Sequence, residues 1–185
     1  MALVRSLQAG EARAGAVLFD RYAVHIRRVL VRVLGPDPDI ADILQDVFVS
    51  ALASIRKLSE PSALKAWLTR TAIFMARGRI RRRTRWRFLR FVPHDELPEL
   101  PAIQAKPEDR EALAGVYRTL AKLPANHRIA FALRVLDGME LAEVAEVCGV
   151  SLATIKRRLS LAQRRFVELA RREPSLRDWV VREVP

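Results

Sequence analysis

The sequence predicts an all-α chain, and three observations predict it. Apolar residues recur at helical spacing from Leu18 to Phe166, alternating runs of strand type are not evident, and the breaks between periodic runs fall on Gly, Pro and capping residues. A proline-rich acidic stretch then divides the chain into two small helical domains, the second built on a helix-turn-helix.

In the first domain, Leu18, Tyr22, Ile26, Val29 and Val33 hold one helix face, and Gly35-Pro36-Asp37-Pro38 ends that helix. Asp39 is expected to cap the next helix, whose Ile40, Leu44, Val47, Phe48, Ala51 and Ile55 share a stripe at about 100° per residue. Its opposite side carries Asp42, Gln45, Asp46 and Val49. Two carboxylates beside an exposed valine suit a protein partner better than DNA; an ordinary solvated face is the alternative.

Ser59-Glu60-Pro61-Ser62 is a break with Ser62 as the expected cap, after which Leu64, Trp67, Leu68, Thr71 and Met75 make a third core face. Another side of this helix carries Arg70, Phe74, Arg77 and Arg81, and the basic run continues through Arg79, Arg82, Arg83, Arg85, Arg87 and Arg90. Phosphate is the natural counter-ion. Phe74, Trp86, Phe88 and Phe91 interleave with the run, and arginine beside an exposed aromatic suits unpaired nucleic acid, whose bases stack on the ring. Packing of these aromatics onto the domain is the alternative.

The domain boundaries are expected at residues 1–92, 93–110 for the linker, and 111–185. The linker holds Pro93, Pro98, Pro101 and Pro107 with Asp95, Glu96, Glu99, Glu108 and Asp109. Net charge is +11 over residues 1–92, −4 over 93–112 and +5 over 113–185, so both domains are cationic and the connector should avoid DNA. Two helices follow, through Leu113, Val116, Leu120 and Leu123 and then Ile129, Leu133 and Leu136, before Asp137-Gly138. Leu141, Val144, Ala145 and Cys148 mark the next helix, and Ile155, Leu159, Ala162 and Phe166 the one after.

Between those last two lies the three-residue turn Gly149-Val150-Ser151. Gly149 can take the positive φ required past a helix end, and Ser151 can cap the helix that follows. That helix turns Thr154, Lys156, Arg157 and Arg158 away from its apolar stripe, as an element entering a major groove would. A plain helical hairpin with solvated cations is the alternative. Ser175 to Val181, with Trp179, is expected to add a turn that packs back, without an assigned role.

Composition narrows the function classes. The 185 residues are 50% hydrophobic, enough for one domain or two small ones. A net charge of +12 with a pI near 11.2 points to a polyanion, nucleic acid before an anionic membrane. No apolar run approaches the roughly 20 residues that span a bilayer, and the start Met1-Ala2-Leu3-Val4-Arg5-Ser6 lacks a signal-peptide core, so a cytoplasmic location and no membrane insertion are expected. The lone Cys148 falls on a core face and is expected to act as a small hydrophobe. His25, His94 and His127 stand apart without metal-ligand companions, and phosphate loops and nucleophile elbows are not found. The expectation is therefore no catalytic residue, no metal, no cofactor and no enzyme activity.

Taken together in order and spacing, these landmarks resemble the extracytoplasmic-function (ECF) sigma factors over about Val17 to Arg171. The resemblance rests on Ala41-Asp42-Ile43-Leu44-Gln45-Asp46-Val47-Phe48, on Trp67-Leu68 with Arg70, Ala72 and Arg81-Arg82-Arg83, and on Leu123-Pro124 with Arg128, Phe131, Leu133 and Arg134. It rests further on Gly138, Glu143-Val144-Ala145, Gly149-Val150-Ser151 and Thr154-Ile155-Lys156 with Arg158-Leu159. It implies that Asp42, Gln45, Asp46 and Val49 grip the clamp of core RNA polymerase. It implies that Arg70, Phe74, Arg77, Arg81, Arg82 and Arg83 engage the −10 region of promoter DNA, and that Ser151, Thr154, Lys156, Arg157 and Arg158 read the −35 element with Arg128 on a phosphate. An anti-sigma factor is implied as a further partner.

The chain departs from the family pattern at Ile73, Phe74 and Gly78, where members usually carry Arg, Asn and Asp, at Arg157 for a common Ser, at Leu161 for a common Arg, and at Glu140 for a capping Ser. Two rival readings stand beside this one: a helix-turn-helix regulator independent of polymerase, and an inactive sigma-like protein that occupies polymerase without melting DNA.

Overall fold

The computed structural model describes residues 2–89 and 106–177, with side chains to Arg85 and again from Lys106. The aromatics Trp86, Phe88, Phe91 and Trp179 and the linker residues 93–105 lie outside the described side chains.

The described residues form eight α-helices and no strand: α1 Ala2–Ala9, α2 Ala14–Leu34, α3 Ile40–Ser54, α4 Leu64–Leu89, α5 Pro107–Leu120, α6 Ala125–Phe131, α7 Leu141–Cys148 and α8 Leu152–Ala170. None is long and apolar enough to cross a membrane. The periodic stripes become the core: Leu18, Ile26 and Leu30 of α2 and Leu68 and Ile73 of α4 are all but inaccessible. Each such side chain contributes about 1.5–3 kcal/mol by leaving water. Ile73, one of the departures from the family pattern, is thus a core residue of α4.

Helix α1 escapes sequence reading because its eight residues offer two buried positions, Val4 and Leu7, too few for a period. It is held by Gln8 Nε2, which donates to Leu58 O at 2.9 Å. Helix α5 begins at Pro107, inside the expected linker. A proline in the first turn loses no hydrogen bond, and Glu108 and Asp109 favour the positive helix end.

Two expected caps are also corrected. Asp39 makes no capping bond to α3; instead Asp37 Oδ1 accepts from Asp39 N at 3.1 Å, and the Asp39 carboxylate pairs with Arg79. Ahead of α4 it is Glu60 that accepts, from Ser62 N at 3.4 Å and Ser62 Oγ at 2.8 Å, and Pro61–Ala63 forms a short 3₁₀ turn before the helix.

The two halves do not stand apart. One apolar cluster runs from α1–α4 into Ile129, Ala130, Leu133, Val144, Ala145, Val147, Cys148 and Ile155. A smaller one gathers Tyr117, Leu120, Leu123, Phe131 and Ala162, with the Phe131 and Phe166 rings stacked at 4.7 Å. After α6 the chain widens into a π-type turn over Ala132–Leu136, closed by Asp137 N donating to Ala132 O at 2.9 Å. This turn delivers Asp137 to α2, where its Oδ1 meets Arg28 Nε at 3.0 Å.

Candidate nucleic-acid interface

The α7–turn–α8 unit follows from local chemistry. Gly149 sits at φ +65°, the left-handed conformation that closes α7. Ser151 Oγ accepts from Thr154 N at 3.2 Å, satisfying a donor at the start of α8 that the helix itself cannot. Glu140, in place of a capping Ser, has its N–H bonded to Glu143 Oε2 at 3.0 Å. Ile155 and Ala162 are buried, which turns Lys156 and Arg157 to solvent. Thr154 and Arg158 are only half exposed, so the outward set is narrower than expected. His127 of α6 lies near Arg158; burial, then that charge, holds its imidazole below the ordinary value.

Along α4 the basic run divides by face. Arg81 and Arg82 are exposed, and Phe74 is 72% exposed, which excludes packing of its ring onto the domain. Arg79 and Arg83, one turn apart, face the α2–α3 loop instead. There Asp37, its carboxylate fully shielded, lies 3.5 Å from Arg79 Nη2 and 2.9 Å from Arg83 Nη1. Arg83 is therefore committed to an internal ion pair in this state. Arg77 is half-buried beside Cys148, whose thiol is raised by burial against the opposing pull of Arg77 and Arg158.

Two expected DNA contacts are occupied from within. Arg70 Nη2 donates to Glu146 O near the end of α7 at 2.8 Å. Arg128, expected on a phosphate, is 7% exposed and buried against the end of α2; the partners that bury it lie 95 and 94 residues back in the chain, beyond reach of any local motif.

At the junction of the halves His25 Nε2 sits 3.0 Å from Thr69 Oγ1, and the Thr69 hydroxyl already donates to Lys65 O at 2.9 Å. The imidazole must therefore be the donor, which leaves Nδ1 as the acceptor facing Arg28 Nη2 at 3.5 Å. Burial, with Lys65 and Arg28 nearby, lowers the His25 pKa against the pull of Asp137.

On α3, Asp42, Gln45, Asp46 and Val49 are all exposed along one face. Sequence reading missed their apolar neighbours: Leu52 is 41% exposed, and Phe19 of α2, 43% exposed, rests on Phe48 with ring centres 4.9 Å apart. Both lie off the apolar stripes of their helices, and only the packed arrangement of α2 beside α3 brings them next to this face. Among the described residues no group of His, Cys, Asp and Glu is placed to hold a metal.

Known families match both halves. The sigma-70 region 2 family matches residues 18–86 and the sigma-70 region 4 family residues 113–166. The chain belongs to the ECF sigma factors. The ECF RNA polymerase sigma-E factor of Escherichia coli (strain K12) is 26% identical over 170 residues, spanning 87% of this chain and 88% of that one. That of Haemophilus influenzae is 27% identical over 177 residues, spanning 88% and 90%. In fold, this sigma factor matches CnrH, solved in complex with the cytosolic domain of CnrY, at a TM-score of 0.62 and 24% identity over 91% of this chain and 94% of that chain. It also matches the Bartonella quintana sigma factor RpoE, solved with the anti-sigma factor NepR, at a TM-score of 0.64 and 23% identity over 85% and 97%.

Proposed function

We propose that this sigma factor directs transcription initiation by dividing three tasks among three surfaces. Asp42, Gln45, Asp46 and Val49 of α3 dock on core RNA polymerase. Phe74, Arg77, Arg81 and Arg82 of α4, joined by Arg70 and Arg83 once their internal partners let go, engage the −10 region as strands separate. Ser151, Thr154, Lys156, Arg157 and Arg158 of α8 read the −35 element, the cationic start of α8 lying near phosphate. Strand opening draws on preferential binding of unpaired bases, to which an exposed Phe74 offers a stacking face in place of the family's Asn. The family's likeness to complexes such as RpoE with NepR supports an anti-sigma protein as a further partner.

The observation that carries this reading is the α3 ridge. In a chain of net charge +12, Asp42 and Asp46 stand exposed without an ion pair among the described residues, beside an exposed Val49. Carboxylates with no internal role and no use toward DNA support a protein partner. Asp46→Arg should abolish co-purification with core polymerase without weakening DNA binding. Retained co-purification would favour a polymerase-independent regulator, and run-off transcription with purified core enzyme separates an active factor from an inactive occupant.

A further inference from the structure

The outward face of α8 carries one side chain that its cationic character does not account for. Leu161 is 39% exposed, on a helix whose apolar stripe of Ile155, Leu159, Ala162 and Phe166 faces the core. At 3.6 residues per turn, Leu161 stands about 130° from the middle of that stripe and only about 40° from Arg157, four residues earlier. Ala153, exposed and four residues earlier still, continues the line. Ala153, Arg157 and Leu161 thus form one outward row, with steps of about 6 Å along the helix axis. Around Leu161 lie Arg157, Arg164 and Arg165, all exposed, with Arg165 bonded to Glu168 Oε2 at 2.9 Å.

Leucine here replaces the family's common Arg. It contributes nothing to phosphate binding, and an exposed apolar side chain gains free energy only where it leaves water. One leucine ringed by arginines is far too small for a protein interface, and the charge around it matches DNA. Among the groups that the base edges present in the major groove, the C5-methyl of thymine is the apolar one.

We propose that Leu161 is a specificity residue, packing on a thymine methyl in the −35 element beside the base that Arg157 reads. The inference rests on the functional reading above and deepens it. Arg157 takes a guanine through O6 and N7. One step of the row, about 6 Å, spans about two base pairs at about 3.4 Å each, so the thymine falls about two positions from that guanine. The row thereby joins a polar reader to an apolar one, where an Arg at both places would favour guanine or phosphate at both.

The test removes the methyl group and leaves every hydrogen-bonding edge intact. The full-length chain, free and assembled with core polymerase, would select from a pool of random duplexes, and the enriched sequence would be remade with deoxyuridine for each thymine in turn. The parent should lose about fourfold in affinity at one position, the effect of burying one methyl group, and Leu161→Ala should show no loss there. Leu161→Arg should drop that thymine from the enriched sequence and steepen the salt slope by about 1. Both variants should keep the parent's helical circular dichroism, because the side chain is exposed. Equal deoxyuridine sensitivity in the parent and Leu161→Ala, no sensitivity in either, or an enriched sequence without a thymine at that spacing overturns the assignment. Failure of the functional reading looks different. If no sequence is enriched, α8 is not a reader and the role of Leu161 falls with it; if only the complex with core polymerase fails to form, the free chain's deoxyuridine comparison decides.

Discussion

Helices α4 and α8 both carry arginine runs, yet they present them in different ways. Helix α8 is self-sufficient: its own cap at Ser151 starts it, its own buried stripe orients it, and Lys156 and Arg157 are left free. Helix α4 is held by others. The loop after α2 takes Arg79 and Arg83, and α7 takes Arg70. The difference teaches that net charge along a helix does not measure the charge available to a ligand; the carboxylates and carbonyls packed against it do.

If that comparison is right, damage to the α2–α3 loop should cost the α4 surface and spare α8. The largest effect is expected at Gly35, whose φ of +74° and ψ of −163° is a conformation almost reserved for glycine. Gly35→Ala should lower unfolding stability by about 3 kcal/mol, strain and the Tyr117 contact together, read from the urea midpoint. Equal loss of hydrogen-exchange protection in α8 would break the comparison.

Asp37→Ala comes next. It leaves Arg83 without its counter-charge and Arg79 with Asp39 alone, and should cost about 2 kcal/mol, with faster amide exchange in the second half of α4. On the other arm, Arg157→Ala should change relative affinities across a promoter library by about 1.5 kcal/mol at one base position. Arg82→Ala should weaken all sequences alike and reduce the salt slope by about 1. A uniform effect of Arg157→Ala would remove it from the readers.

Gly78 lies exposed in mid-helix with open space where a Cβ would go. Gly78→Ala should therefore stabilise the chain by about 0.5–1 kcal/mol, visible as a higher melting temperature. The smallest effect expected is that of pH at His25. Its folded-state pKa lies below 6.5, so the stability it contributes is present above 6.5 and lost as pH falls through the lower folded value. Melting temperature should drop on acidification through that window, and less so in His25→Gln. The slope left in that variant should belong to His127, shifted the same way.

The parts of the molecule legible in the sequence are those whose causes are local. The turn at Gly149 and the cap at Ser151 are set by residues within one helical turn of each other, and the core faces of α2, α3 and α8 by spacing alone; on α4 the spacing finds Leu64 and Leu68 but picks the half-buried Trp67, Thr71 and Met75 where Ala72, Ile73, Ala76 and Ile80 form the core. Arg83 and Arg128 were illegible as internal partners for the opposite reason. Each has the composition of a DNA contact, and only the tertiary arrangement brings Asp37 to one and the end of α2 to the other. Phe74 lay between these cases: its position off the apolar stripe marked it as different, but the neighbours that leave it uncovered had to be seen in place.

The widened turn at Ala132–Leu136 has a consequence for how the chain tolerates length changes. It spends one residue more than an α-helix would over the same rise, and that extra residue sets the azimuth from which Asp137 leaves the helix axis. Deleting a single alanine there would wind everything downstream back by about 100°, the angular step of one residue. Asp137 would then swing out of line with Arg28, and the whole recognition unit would be re-aimed without any of its own residues having been changed.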